Sequence, residues 1–255
     1  MTDTHPLNRL LNLPPHEADE LLAQASLGYW SQTRLNLTHA PLHWEWTKLA
    51  QTRPRLAVVA PREHAKSETF TVNQIAWRSI YTPGFQSYVF ALSLDQAKKL
   101  KTRIDSVVEA VAPWLLSGPV VQHNQEYTRF QNYAEVQVAG AGKAVRGAHP
   151  DLIVGDDVLS EGNSMTSIRR QQTHEWWFGT IGGMSHPPTT RVIGRGKDAR
   201  TIRVPGTVVH LVGTPFHRAD LLMSMKSNPL YHFRRYAAEF DPAGLVPGTL
   251  AVEVS

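Results

Sequence analysis

The sequence predicts an α/β fold with a mainly parallel central sheet flanked by helices, and two observations support this. From residue 54 onward, short runs of apolar and β-branched residues alternate with stretches of helical periodicity, which is typical of parallel strands joined by helical crossovers. Three of these runs, at 55–60, 151–155 and 207–213, are almost continuously apolar, as strands covered on both faces are. The pattern therefore indicates a sheet buried between two helical layers.

Apolar spacing predicts the other elements of the chain. Four are expected, namely strands at 87–92 and 134–138 and helices at 41–51 and 95–111. Acidic residues shortly after Pro15 favour a further helix near the N-terminus. We therefore expect a helical lead-in at 1–53, packed on an α/β domain at 54–240.

Two segments depart from the alternating pattern. Residues 161–190, which contain Gly182-Gly183, predict a helix followed by a mobile loop. Residues 190–204 predict a hairpin in which Val192 and Ile193 pair with Ile202 and Val204 around a glycine-containing turn.

Composition excludes several classes of protein. The 255 residues can bury a substantial core, and they include no cysteine. A disulfide framework, a cysteine nucleophile and cysteine-held zinc or iron–sulfur sites are thereby excluded. No apolar run approaches the roughly 18 residues of a membrane span, and the acidic N-terminal segment does not resemble a secretory signal. These features favour a soluble protein of the cytoplasm.

A phosphate-binding loop is predicted after the first strand of the α/β domain. The apolar run 56–59 leads into Ala60-Pro-Arg-Glu-His-Ala-Lys66-Ser67, and a helix is expected at 68–80. In such a loop backbone N–H groups hold phosphate, a lysine reaches the β- and γ-phosphates, and a hydroxyl binds magnesium. Because alanines at 60 and 65 replace both glycines of G-x-x-x-x-G-K-[ST], an ordinary helix start is the alternative interpretation.

Two further strands are followed by residues with polar or charged side chains that could take part in catalysis or binding. Asp156 and Asp157 follow the run 151–155, at the edge where open α/β sheets bind ligands. In P-loop ATPases the first such carboxylate holds magnesium and the next orients or deprotonates the attacking water. A solvated turn is the alternative for this pair. The third strand ends in Gly213-Thr214-Pro215, which is either a phosphate-sensing coupling motif or simple turn chemistry.

The three motifs together resemble the large terminase subunit of tailed bacteriophages, the ATP-driven motor that packages DNA. The resemblance covers about residues 40–240. It is carried by Pro-Arg-Glu-His-Ala-Lys-Ser at 61–67, by Val-Arg-Gly at 145–147 with His-Pro-Asp-Leu-Ile-Val-Gly-Asp-Asp at 149–157, and by Gly-Thr-Pro at 213–215. Terminases commonly have a P-loop with a basic residue and without the full glycine set. The resemblance implies the N-terminal ATPase domain, with a P-loop NTPase core of the RecA-like (ASCE) class.

The resemblance also implies ATP and Mg²⁺ as cofactors and a role for each motif residue. Lys66 would bind the phosphates, Ser67 and Asp156 would hold magnesium, and Asp157 would be the catalytic carboxylate, where the family usually has Glu. Glu161 is a nearby acid that could assist. Gly213 and Thr214 would form the coupling motif. The nucleotide-binding loop would comprise Pro61, Arg62, Glu63, His64, Ala65, Lys66, Ser67 and Glu68.

Two roles implied by the resemblance retain alternatives. Arg146 matches an arginine finger supplied to a neighbouring subunit, where it would stabilise charge on the γ-phosphate. An ion pair between Arg146 and Glu135 or Asp151 is the alternative. Adenine contacts are expected before the first strand, where the candidates are His43, Trp46 and Gln51, although Trp46 also fits a core position.

The basic residues are concentrated in one part of the chain. The net charge is +4, but residues 186–240 carry nine Arg or Lys against three Asp or Glu, so the rest is slightly acidic. A motor that moves any DNA sequence is expected to contact phosphates rather than bases. The hairpin therefore supplies the DNA-contact candidates, which are Arg191, Arg195, Lys197, Arg200 and Arg203. A charged edge that keeps the protein soluble is the alternative.

The expected partners follow from the resemblance. They are double-stranded DNA, a portal protein, the small terminase subunit and further copies of the chain in a ring, in the cytoplasm of a host cell. Residues 241–255 would begin a linker toward a C-terminal nuclease domain. Two other functions remain open: a metal-dependent nuclease that uses Asp156 and Asp157, and a DNA-binding P-loop protein that does not hydrolyse ATP.

Overall fold

The N-terminal segment is helical, as predicted. The computed structural model describes residues 13–145 and 147–236 and the backbone of Val252–Val254. The first three helices are α1 (Pro15–Ala25), α2 (Leu27–Arg34) and α3 (Pro41–Thr52). Two of them begin at a proline, which suits a first helical position because no N–H partner is needed there. Ser26 caps α2 by accepting a hydrogen bond from the N–H of Tyr29.

The described residues contain one large sheet and a separate hairpin. The strands are β1 (Arg55–Val59), β2 (Gln86–Ala91), β3 (Gln122–His123), β4 (Tyr127–Arg129), β5 (Glu135–Gly140), β6 (Leu152–Asp156), β7 (Thr189–Ile193), β8 (Arg200–Val204), β9 (Val208–Gly213), β10 (His232–Tyr236) and β11 (Val252–Val254). In the large sheet their order is β11-β10-β1-β9-β6-β2-β5-β4-β3, whereas β7 and β8 pair only with each other. β11, within the segment expected to be a linker, pairs antiparallel with β10.

The centre of the sheet is parallel, which confirms the predicted fold class. β10, β1, β9, β6, β2 and β5 run in one direction, and the antiparallel pairings lie at the two edges. β9 lies between β1, which precedes the phosphate-loop motif, and β6, which ends at Asp156. All three candidate motifs therefore meet at one edge of the sheet, because parallel strands end on the same side.

Helices cover both faces of the sheet. Those that follow α3 are a wide π-helical turn (Glu68–Asn73) continuing into α4 (Gln74–Tyr81), and then α5 (Leu94–Val111), α6 (Glu161–Ser164), α7 (Ser167–Met184) and α8 (Leu221–Ser224). One apolar core joins the sheet to the helices from α1 to α5 and includes Trp30, Trp46 and Phe70. The other lies beneath α7 and α8 and includes Trp177 and Phe233.

Several details differ from the sequence predictions. α7 continues to Met184, so the mobile loop expected within 161–190 is wrong: Ile181 and Met184 are buried and hold the helix against the sheet. The strand β10 was not predicted. Its sequence, His-Phe-Arg-Arg-Tyr at 232–236, lacks a clear apolar pattern, and the segment becomes a strand through its parallel pairing with β1. No helix in the described part of the chain is both long and apolar enough to cross a membrane.

Candidate functional site

The loop between β1 and the π-helical turn adopts a strained backbone. Glu63 and Ala65 have φ of +66° and +58°, in the left-handed region that costs an L residue roughly 1–2 kcal/mol. Ala65 occupies the position of the second glycine of the motif, so its backbone takes a conformation that glycine would adopt without strain. Ala65 thus keeps the left-handed backbone that is expected of the glycine it replaces.

Lys66 connects the loop to the end of β9. Its ammonium donates to the carbonyl of Pro61 at 2.7 Å and to Oγ1 of Thr214 at 3.4 Å. The residue is only 5% exposed. Burial lowers the pKa of Lys66, and the nearby carboxylates of Asp157 and Asp156 oppose that shift.

Two hydroxyls hold the carboxylate at the end of β6. Ser67 Oγ donates to Asp156 Oδ1 at 2.8 Å, and Thr71 Oγ1 donates to Asp156 Oδ2 at 2.5 Å. Burial is the main cause that raises the pKa of Asp156 to about 6; Asp157 adds to the rise and the two hydroxyl bonds oppose it. Sequence reasoning missed Thr71, although its spacing of four residues from Ser67 places both on one helix face.

Asp157 is exposed and lies beside the end of β9. Its φ is +46°, and its Oδ1 accepts a hydrogen bond from the N–H of Thr214 at 3.1 Å. A Cβ at Gly213 would lie 3.0 Å from that same oxygen, which is tighter than most side-chain contacts. Gly213 therefore lets the end of β9 approach the candidate catalytic carboxylate.

A cavity of about 780 Å³ opens over these residues. The predicted residues in its wall are Arg62, Glu63, Ala65, Lys66, Ser67, Glu68, Asp157 and Thr214. Pro61 contributes its carbonyl to Lys66, whereas the imidazole Nδ1 of His64 lies 2.7 Å from the carbonyl oxygen of Arg62, outside the cavity wall. The cavity has the size of a small-molecule site.

The donor atoms fit a magnesium ion. Ser67 Oγ and Asp156 Oδ1 are hard oxygen ligands that already lie within 2.8 Å of each other. These two oxygens would hold the ion, and the hydrogen bond between them would then be lost. Within residues 13–145 and 147–236, no three His, Asp or Glu side chains form a metal-binding cluster.

The structure gives the candidate adenine contacts other roles. Trp46 is fully buried in the core, as its alternative interpretation predicted. Gln51 accepts from the N–H of Leu27 and donates to the carbonyl of Ala25, so it joins α3 to α2. His43 accepts from the N–H of Ala40 at the start of its helix. None of the three lines the cavity described above.

Arg146, the candidate arginine finger, lies outside the described residues. Both carboxylates of its alternative ion pair are bound by other arginines: Arg129 Nε lies 2.8 Å from Glu135, and Arg191 contacts Asp151.

The hairpin of β7 and β8 forms where it was predicted, but its predicted pairing is wrong: Val192 pairs with Thr201 and Ile193 with Arg200, not with Ile202 and Val204. One of its candidate DNA contacts also needs correction. Arg191 donates from both terminal nitrogens to Asp151 at 2.9 Å and also to the carbonyl of Gly84. Its guanidinium is thereby committed to the body of the protein and is not available to DNA. Ile193 and Ile202 pack so closely on Gly84 that a Cβ there would meet each at 2.7 Å.

The other four hairpin cations are exposed. These are Arg195, Lys197, Arg200 and Arg203. Because Asp151 and Gly84 precede β6 and β2, the hairpin packs at the amino edge of the sheet, opposite the cavity.

The cavity wall also includes residues that no motif predicted. They are Leu92, Gln96, Arg103, Leu159, Ser160 and Phe216. Phe216 lies 5.9 Å from the guanidinium carbon of Arg62, within cation–π range. Gln96 and Arg103 are seven residues apart on α5, a spacing that puts both on one helix face; only the packing of α5 beside the loop directs that face into the cavity.

Comparisons with known proteins found similarity among solved structures. No protein-family model matches the sequence, and no characterised protein matches it. Among solved structures, the chain is similar to the ATPase domain of the large terminase of Thermus phage P74-26, with a TM-score of 0.48 and 16% identity over 72% of this chain and 68% of that one. A variant of that domain with one arginine replaced by alanine matches with the same values. At this identity no residue role carries over to this chain.

Proposed function

We propose that the chain is a Mg²⁺-dependent ATP hydrolase, the ATPase domain of a viral DNA-packaging motor. The observation that supports hydrolysis is that Lys66, Ser67 and Asp157 line one cavity, with Asp156 hydrogen-bonded to Ser67 directly behind the wall. The order of these residues along the chain follows that of a P-loop ATPase. The terminase assignment depends on the sequence resemblance.

Each residue has a defined task in this proposal. Lys66 turns from Pro61 and Thr214 to the phosphates. Ser67 and Asp156 hold Mg²⁺, which when bound neutralises charge on the phosphate oxygens. Asp157, exposed and beside Thr214, orients the attacking water and accepts its proton. Arg146 would supply a finger to a neighbouring copy in a ring assembled on a portal with the small terminase subunit.

The alternatives make less use of the site. A two-metal nuclease would leave Lys66 without a role, although the ammonium lies at the end of β9 beside the candidate phosphate loop. A P-loop protein that does not hydrolyse ATP would leave Asp157 without a role.

The first test is Lys66→Ala, with Lys98→Ala on α5 as the matched control. Loss of the phosphate-binding ammonium is expected to lower the rate of phosphate release from ATP by about 100-fold or more. The Lys98→Ala control should hydrolyse ATP at the unaltered rate, and Lys66→Ala should bind DNA as the unaltered chain does. Unchanged ATP hydrolysis in Lys66→Ala would contradict the proposal, and metal-dependent DNA cleavage lost in Asp156→Asn would favour the nuclease.

The hairpin supplies the proposed DNA contact. Its exposed cations Arg195, Lys197 and Arg200 lie at or beside the turn, and none has an ion-pair partner among residues 13–145 and 147–236. Unpaired cations on a protruding ribbon suit contact with a phosphate backbone of any sequence.

Salt dependence of DNA binding tests this contact. Replacing Arg195, Lys197 and Arg200 by alanine should reduce the slope of log K against log salt by about 0.9 for each DNA phosphate that the protein no longer neutralises. The triple variant Lys48→Ala/Lys98→Ala/Lys99→Ala, on α3 and α5, removes the same number of charges and is the control for net charge. An unchanged slope in the hairpin variant would place the DNA elsewhere on the molecule.

A further inference from the structure

Arg103 is a cation in the cavity wall that no motif assigns. It lies on α5, and its guanidinium contacts the carboxylate of Glu68, the residue directly after Ser67. Arg103, Glu68 and Gln96 line the same cavity as Lys66 and Asp157. The ion pair therefore lies within the candidate nucleotide site.

We propose that Arg103 binds the phosphates of the nucleotide. To do so, its guanidinium breaks its ion pair with Glu68. This assignment rests on the proposed binding of ATP and extends it to a second element, because α5 would then contribute a phosphate ligand from outside the loop. A guanidinium suits this role, since its planar fork donates two parallel hydrogen bonds to phosphate oxygens.

The charges of the cavity support the exchange. Its wall carries three cations and three anions, which are Arg62, Lys66, Arg103, Glu63, Glu68 and Asp157. A site with balanced charges gains little by binding a polyanion unless some of its cations turn from their own carboxylates to the ligand. Bound phosphates repel Glu68 and attract Arg103, so both interactions favour opening this pair.

Because the Arg103–Glu68 ion pair is exposed to water, little free energy is lost when Arg103 turns from Glu68 to a phosphate. The side chain of Arg103 is 51% exposed and that of Glu68 is 28% exposed. An ion pair in contact with water stabilises a fold only slightly, so its loss is readily offset by charge-assisted hydrogen bonds to phosphate. Lys101 on the same helix differs, because its side chain is only 3% exposed and pairs with Asp105 at 2.7 Å. If Lys101 turned to a ligand, Asp105 would be left as a buried charge without its partner.

The two partners of the pair give opposite expectations, which separates this role from a purely structural one. If Arg103 binds phosphate, Arg103→Ala should weaken binding of a non-hydrolysable ATP analogue with Mg²⁺ by about 10- to 100-fold. Glu68→Gln should tighten it, because Arg103 is released and a repulsive charge is removed. If the ion pair is purely structural, both variants should lose thermal stability equally. Their nucleotide affinities should then change in the same direction.

The experiment is calorimetric titration of the whole chain and both variants, with Lys98→Ala as the control because it pairs with Glu126 outside the cavity. A second titration with tripolyphosphate tests whether the contact is to phosphate. Weakening by Arg103→Ala and tightening by Glu68→Gln with both ligands support the assignment. Unchanged binding in Arg103→Ala, weakening in both variants, or an effect confined to the nucleotide overturns it. If the unaltered chain binds neither ligand, the proposed function itself is overturned.

Discussion

An aspartate lies at each end of β6, Asp151 directly before it and Asp156 as its last residue, and the two carboxylates have different partners. At the amino end, Asp151 receives two hydrogen bonds from the Arg191 guanidinium and one from the N–H of Gln86. At the carboxyl end, Asp156 receives its bonds from the hydroxyls of Ser67 and Thr71. A guanidinium cancels the carboxylate charge, whereas hydroxyls leave it available to a cation. One end of the strand is therefore structural and the other is suited to binding.

Backbone strain is more frequent at the carboxyl edge than at the amino edge. Glu63, Ala65 and Asp157 lie at the carboxyl edge around the cavity, and they are three of the five non-glycine residues with positive φ in the described part of the chain. The other two are Tyr133, shortly before β5 at the amino edge, and Asn36, between α2 and α3. In the hairpin at the amino edge, positive φ occurs at Gly194 and Gly196, where it causes no strain. Strain without an evident packing purpose concentrates at sites that bind or react.

The largest expected effect comes from breaking the amino end. Arg191→Ala leaves Asp151, whose side chain is 6% exposed, without its guanidinium, and should lower the free energy of unfolding by about 3 kcal/mol. Nucleotide affinity should not change, because the strand separates this end from the cavity by about 15 Å. Urea unfolding and calorimetry measure the two quantities, with exposed Arg195→Ala as the control. A matching loss of nucleotide affinity would show that the two ends are coupled.

An intermediate effect is expected at the carboxyl end. Thr71→Val keeps the shape of the side chain but removes its bond to Asp156, which should weaken binding of the nucleotide with Mg²⁺ by about 10-fold. Binding without Mg²⁺ should not change, and Thr71→Ser should restore the affinity. Titrations with and without Mg²⁺ measure this, with Thr69→Val as the control. Equal weakening under both conditions would mean that Thr71 supports the loop rather than the metal.

The smallest effect tests the strain. Ala65→Gly should raise the free energy of unfolding by about 0.5 kcal/mol, since relief of the left-handed backbone exceeds the extra entropy of glycine in the unfolded chain. Ala60→Gly, at the other glycine position of the motif but without positive φ, should lower it by a similar amount. Chemical unfolding of both variants gives the comparison, and the same sign for both would show that Ala65 is not strained.

Much of the fold could be predicted because its signals are local. Continuous apolar runs predicted β1, β6 and β9, and helical spacing predicted α5. The turn region 194–197 between β-branched residues predicted the hairpin, but not which residues pair in it. β10 could not be predicted, because its pattern of His, Arg and Tyr becomes a strand only through pairing with β1.

The candidate site divides in the same way. The positions of the main site residues could be anticipated, because each lies at or shortly after the carboxyl end of a parallel strand, and these ends share one edge of the sheet. These residues are Lys66, Ser67, Asp156, Asp157 and Thr214. Thr71 and Arg103 could not be anticipated, because their contacts depend on how helices turn and pack.

By itself the sequence determined which residues carry charge and reactive groups and which strands deliver them to the carboxyl edge, since both depend on short-range pattern. Only the tertiary structure decided which charges remain available. Arg191 and Arg195 are both arginines of the hairpin segment, and the sequence does not distinguish their roles. In the structure Arg191 contacts Asp151, 40 residues away along the chain, whereas Arg195 has no such partner among the described residues. Neutralisation is a contact between distant segments, and no local pattern records it.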